Sequence, residues 1–137
     1  MLSTLLLSLL LQLGIPTENP TLRVTVKGTA CNTGSVRLGV WNQATGFLSA
    51  ATRIQGYTLP AKPGAVTFEI TDLPRGTYAI SVLHDKDENG KMTKSFLGWP
   101  VEAYGFSNNA RGTFSAPAFE ECVFELREPT ELVIGIK

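Results

Sequence analysis

Histidine and cysteine are scarce in this chain, with one His and two Cys among 137 residues. A single His excludes a His-rich zinc site and leaves one imidazole for any acid–base chemistry. An excess of charge is missing too, because 12 Lys and Arg balance 12 Asp and Glu. Nothing in that balance gives an electrostatic footprint for nucleic acid or for an anionic membrane surface. The Leu-rich run that ends at Leu13 is too short to span a bilayer, which takes about 20 apolar residues. Beyond it there is no convincing 3.6-residue periodicity, internal repeat or low-complexity linker, so neither a helical bundle nor a second domain is expected.

What is present fits one globular domain of ordinary size, with 43% hydrophobic and 18% charged residues. The N-terminal run has the length of a signal-peptide h-region. Residues 1–20 are expected to be a signal peptide and 21–137 the domain, although no Lys or Arg precedes the run and no A-x-A site follows it. The alternative is an apolar segment retained on the domain. In an exported chain, Cys31 and Cys122 permit one disulfide without requiring it. Otherwise they are two free thiols, with Cys122 buried in a strand.

Alternation with a period of two dominates the rest. Leu22, Val24 and Val26 alternate with Arg23, Thr25 and Lys27; Val36, Leu38 and Val40 alternate with Arg37, Gly39 and Trp41. Further strands are expected around Ile54 to Leu59, Val66 to Ile70 and Tyr78 to Leu83. The last two are expected at Cys122, Phe124, Leu126 and at Leu132, Ile134, Ile136. The fold class is therefore all-β: a single antiparallel β-sandwich of Ig-like or prealbumin-like kind, about seven strands with one long loop insertion. A barrel is the runner-up.

The stretch from His84 to Met92 places oxygen ligands at alternating positions and then a Gly where the backbone must turn. In an EF-hand loop, positions one, three and five supply side-chain oxygens, six is Gly and seven supplies a carbonyl. These positions fall on Asp85, Asp87, Asn89, Gly90 and Lys91, with Thr93 at position nine. The expected cofactor is Ca²⁺, held by Asp85, Asp87, Asn89, Lys91 and Thr93. Position twelve is Phe96 where the EF-hand has a bidentate Glu, so further oxygens must come from elsewhere, Glu102, Asn108 and Asn109 being the distant candidates. The same residues also fit a charged hairpin tip built on Asn89-Gly90.

The long insertion from His84 to Phe119 concentrates Trp99, Tyr104, Phe106, Asn108, Asn109 and Arg111, and long ordered loops are often functional. Aromatic rings beside amides suit a glycan or a protein partner, so these six residues form the expected ligand surface. Against that stands their use as turn formers and as pins that hold the loop to the sandwich.

Leu73-Pro74-Arg75-Gly76-Thr77-Tyr78, His84-Asp85, Asn89-Gly90-Lys91, Phe96-Leu97-Gly98-Trp99-Pro100 and Tyr104-Gly105-Phe106-Ser107-Asn108-Asn109 together resemble the exported bacterial proteins grouped as domain-of-unknown-function family 2141. The resemblance covers most of the chain after the leader. It implies a small periplasmic or secreted domain of unknown biochemical role, a sandwich like the prealbumin-like or carboxypeptidase-regulatory-like modules. Thr93 departs from an acidic residue common in that family.

Catalysis has a thin basis. His84 lies on the apolar face of its strand, where a packed, hydrogen-bonded role is expected. No nucleophile elbow is present, because Gly105-Phe106-Ser107-Asn108-Asn109 lacks the second Gly. Asp85 and Asp87 are too close in sequence to flank a glycosidic bond. The expectation is a binding or structural module that is not an enzyme; the alternative is a small hydrolase using His84 with Asp85 or Ser107.

Overall fold

The computed structural model describes residues 18–91, 102–113 and 115–137. The Leu-rich run, Thr93, Phe96 and Trp99 lie outside the described residues. Among the described residues, eight strands form two sheets. Strands β1 (Leu22–Thr29), β4 (Gly64–Ile70) and β8 (Thr130–Gly135) make a three-stranded sheet in the order β4-β1-β8. The second sheet runs β3-β2-β5-β6, from β3 (Gln55–Pro60), β2 (Ser35–Trp41), β5 (Gly76–Asp85) and β6 (Tyr104–Phe106), with β7 (Phe124–Leu126) also paired to β5. All pairings are antiparallel except β1 with β8, which is parallel. The β-sandwich expected from the alternation is the fold observed, antiparallel but for the β1–β8 pair.

Its core follows directly from that alternation. Leu22, Val24 and Val26 meet Val66, Phe68 and Ile70 from one sheet and Val36, Leu38, Val40, Ile80 and Val82 from the other, all at most 5% exposed. Burying each such side chain contributes about 1.5–3 kcal/mol before the entropy of ordering is counted. A second, smaller cluster covers the outer face of the larger sheet. Ala79, Phe106 and Cys122 are its buried members, and Phe47 stands edge-on to both Trp41 and Phe119 at centroid distances of 5.5 and 5.6 Å.

The Leu73-to-Tyr78 motif acquires a physical role here. Tyr78, 5% exposed, turns its hydroxyl back to donate to Pro74 O at 2.5 Å, the arrangement of a tyrosine corner. Gly76 lies beneath it, where a Cβ would stand 3.2 Å from the Tyr78 hydroxyl and oblige it to give by a few tenths of an ångström.

Two expectations are corrected, and of the alternatives open for the cysteines the two free thiols, with Cys122 buried, are found. Cys122 is not in a strand; it ends a single helical turn, α1 (Phe119–Cys122), and the strand begins at Phe124. Cys31 and Cys122 are unbonded. Cys31 lies near the end of β5 that carries His84, whose imidazole bonds Thr33, whereas the Cys122 carbonyl bonds Ser107 beside Ile80. Four residues of strand span roughly 13 Å, too far for a disulfide. Finally, Tyr104 to Phe106, read as loop, is the edge strand β6, with Leu83 opposite Tyr104 and Ser81 opposite Phe106.

That strand closes one side of the sandwich. Tyr104 and Lys137 exchange backbone hydrogen bonds, each 3.2 Å, so β6 is stitched to the segment that continues β8. Gly105 permits the approach, because a Cβ there would sit 2.5 Å from Gly135 O. Asn109 completes the seam, accepting from Gly135 N at 2.9 Å and donating to Val133 O at 3.3 Å.

Candidate metal centre

β5 ends in two consecutive buried polar residues that face opposite sides of the sheet. His84 points to the core side and is fully buried; its Nε2 donates to Thr33 O at 2.8 Å. A carbonyl can only accept, which fixes the proton on Nε2. The His84 ring thus pins the Cys31 to Gly34 turn against the strand. Gly34 allows that turn to lie close, because a Cβ there would be 2.2 Å from Asp85 O.

Asp85 points the other way and is also fully buried. Its Oδ2 accepts from Arg37 Nε at 2.6 Å and from Gly90 N at 2.8 Å. Its Oδ1 is buried with no hydrogen-bond partner among the described residues. A buried carboxylate oxygen without a donor is costly, and with Oδ2 engaged, Oδ1 is the atom that Asp85 has left to offer.

The loop after Asp85 curls around side-chain oxygens. Asn89 N donates to Asp87 Oδ1 at 3.3 Å and Lys91 N donates to Asn89 Oδ1 at 2.9 Å. Gly90 adopts φ +77° and Glu88 φ +54° to make the turn, while Glu88 Oε1 accepts from Ser35 Oγ at 2.7 Å. Lys91 presents its amide to this turn, so Asp85, Asp87, Asn89 and Lys91 are brought into one loop. Thr93 lies outside the described residues.

Glu102 arrives from the far end of the loop. The β5–β6 register that sets Leu83 against Tyr104 continues through a hydrogen bond from His84 N to Ala103 O, 2.9 Å, and so carries Glu102 opposite Asp85. Glu102 is 6% exposed, and its Oε2 accepts from Lys86 N at 2.6 Å. One carboxylate oxygen from each of Asp85, Asp87 and Glu102 lies within 4.8 Å of the other two. Like charges directly opposite on neighbouring strands are destabilising. For the buried pair Asp85 and Glu102, repulsion at that separation amounts to roughly 3 kcal/mol or more at an effective dielectric constant of about 20. Arg37 pairs with Asp85, and a group of carboxylate oxygens such as this one is chemically suited to a hard cation.

Sequence spacing found Asp85 and Asp87 and could offer Glu102 only as a distant candidate. The register of β6 is the signal that places it, and three residues of strand around a Gly are too short to show as alternation. Asn108 and Asn109, the other distant candidates, are engaged elsewhere: Asn108 Nδ2 donates to Val123 O at 2.8 Å and Glu121 O at 3.2 Å, and Asn109 bonds β8.

Of the expected ligand surface, Phe106 is 5% exposed and lies beneath the surface against Ala79 and Cys122. Tyr104 is half-buried, with the exposed Arg111 guanidinium 5.4 Å from its ring centroid. Asn108 and Asn109 are exposed but tied to backbone, both with positive φ of 62° and 50°. Trp99 lies outside the described residues.

The hydrolase constellation is not assembled among the described residues. Ser107 is fully buried; its hydroxyl accepts from Ile80 N at 2.9 Å and donates to Cys122 O at 2.5 Å. The His84 imidazole is four residues along β5 and bonds Thr33 instead. Asp85, next in sequence, faces the opposite side.

Among the described residues no helix is long and apolar enough to cross a membrane. No curated protein and no solved structure matches the chain at a significant level. The model of an uncharacterised protein family conserved in bacteria, domain-of-unknown-function family 2141, matches residues 24–133, which takes in both sheets and the acidic cluster, and the chain belongs to that family.

Proposed function

We propose that this protein is an exported β-sandwich module, a binding or structural protein, whose β5–β6 connection takes a Ca²⁺ ion between Asp85, Asp87 and Glu102. The observation that carries the reading is the fully buried Oδ1 of Asp85, without a hydrogen-bond partner among the described residues, within a group of three carboxylates. Asn89 and the Lys91 carbonyl belong to the same loop and, with water, complete the six to eight oxygens that Ca²⁺ takes. Export is supported by the Leu-rich run before the domain, and extracellular calcium is abundant enough for a weak site of about 10⁻⁴ to 10⁻³ M. The partner is a protein or a glycan, approached over Tyr104 and Arg111 next to the ion.

The test is thermal unfolding in chelator and in calcium. An ion that binds the folded chain alone stabilises it by about 2.7 kcal/mol at a hundredfold excess over its dissociation constant, roughly 10 °C for a domain of this size. Magnesium at equal concentration is expected to produce a smaller rise. Superimposable curves in chelator and in millimolar calcium would defeat the reading.

A further inference from the structure

We infer that the cation fastens the seam of the sandwich: its binding at Asp85, Asp87 and Glu102 is coupled to the docking of β6 on β5 and on β8. The inference rests on the cation reading above and says what the ion controls.

The covalent and hydrogen-bonded path is short. Glu102 is separated from Tyr104 by one residue, Ala103, whose carbonyl accepts from His84 N on β5, while Tyr104 exchanges backbone hydrogen bonds with Lys137 beyond β8. β6 is three residues long, so it has few ladder bonds of its own to resist displacement. Its two ends are held by different means. At the far end, Asn109 ties the chain to Val133 and Gly135, and Arg111 Nη2 donates to Gly135 O at 3.2 Å. At the near end stands the carboxylate of Glu102, opposite the carboxylate of Asp85. That near end is held by the Lys86 N–H and the His84–Ala103 bond. A cation ligated by both carboxylates adds a bridge between β5 and the chain that leads into β6.

Coupling of this kind is reciprocal. Loosening β6 at a place remote from the ligands must lower calcium affinity, just as calcium must tighten β6. Asn109 is such a place.

The experiment combines calcium titration calorimetry with amide hydrogen exchange on the folded domain, in chelator and in saturating calcium. The amides of His84, Tyr104 and Lys137 are expected to exchange about tenfold or more slowly with calcium, beyond any change at Val24 and Val26 in β1. Asn109→Ala, which removes no ligand, is expected to weaken calcium binding several-fold. Calcium binding with no change in exchange at these amides, or with equal slowing throughout both sheets, would overturn the coupling and leave the ion site standing. Unaltered affinity in a folded Asn109→Ala variant would overturn it as well. Absence of calcium binding by calorimetry would remove the ion site itself and this inference with it.

Discussion

Arg37 and Asp85 are diagonal neighbours across β2 and β5, and Arg37 Nε reaches Asp85 Oδ2 at 2.6 Å while the carboxylate is fully buried and the guanidinium is 37% exposed. The pair is asymmetric. The cation keeps contact with water and loses little hydration, whereas the anion has surrendered nearly all of it and depends on what the protein supplies. Arg37 therefore serves as the resident counter-charge of Asp85.

Replacing Arg37 with Met is expected to destabilise the calcium-free protein by about 1–3 kcal/mol, less than for a fully buried pair because the guanidinium is partly solvated. The calcium-induced rise in melting temperature should be larger than in the parent protein, since the ion now faces a more negative site. Equal calcium shifts in the two proteins would show that the ion does not sense Arg37.

Asp85 and Asp87 should separate ligation from folding. Asp87 is exposed, so Asp87→Asn is expected to change stability in chelator by no more than about 0.5 kcal/mol while weakening calcium binding about tenfold or more. Asp85→Asn should lower stability in chelator as well, because Arg37 loses its partner. If Asp87→Asn binds calcium as tightly as the parent, Asp87 is not a ligand.

The tyrosine corner predicts a smaller, local effect. Tyr78→Phe keeps the packing of the ring and removes one hydrogen bond to Pro74 O, which should cost about 1 kcal/mol. Gly76→Ala should cost at least as much by crowding the hydroxyl. Denaturant melts of the two variants check both, and a neutral Tyr78→Phe would reduce the corner to packing alone.

Much of the sandwich was legible because its inward faces obey strict alternation: Leu22, Val24, Val26 and Val36, Leu38, Val40 declare their sheets without help from the rest of the chain. β6 was not legible. Its outward residues Tyr104 and Phe106 pack under the segment that follows, so both faces are covered and no polar face marks it as a strand. The Cys122 error has the same origin, because a helical turn of four residues gives no periodicity to read. The acidic cluster was half legible: local spacing in the chain singled out Asp85 and Asp87, but Glu102 reaches them through strand pairing, a relation between distant residues that spacing does not contain. The parallel placement of β8 beside β1 is another such relation.

The two thiols lead to a prediction about alkaline pH. Burial, with a smaller contribution from Glu121, pushes the Cys122 thiol up from 9.0 to about 11. Burial raises Tyr78, and burial with Asp72 raises Tyr57. Each is an acid whose folded value lies above its unfolded one, so its contribution is complete below the unfolded value and is lost as pH climbs through the folded value. Between about pH 9 and 11 the unfolded chain releases the Cys122 proton while the folded chain retains it, and stability should fall by about 2–3 kcal/mol from this group alone. Cys122→Ala is the control: its stability should decline less steeply over the same interval, by about one proton in the slope. Cys31 behaves oppositely, since hydrogen bonds from Thr33 hold its thiol below the ordinary value. Iodoacetamide at mildly alkaline pH should accordingly label Cys31 in the folded protein and Cys122 only after denaturation. Equal labelling rates in the folded state, or identical alkaline slopes for the parent and Cys122→Ala, would show that Cys122 is not held as a buried thiol.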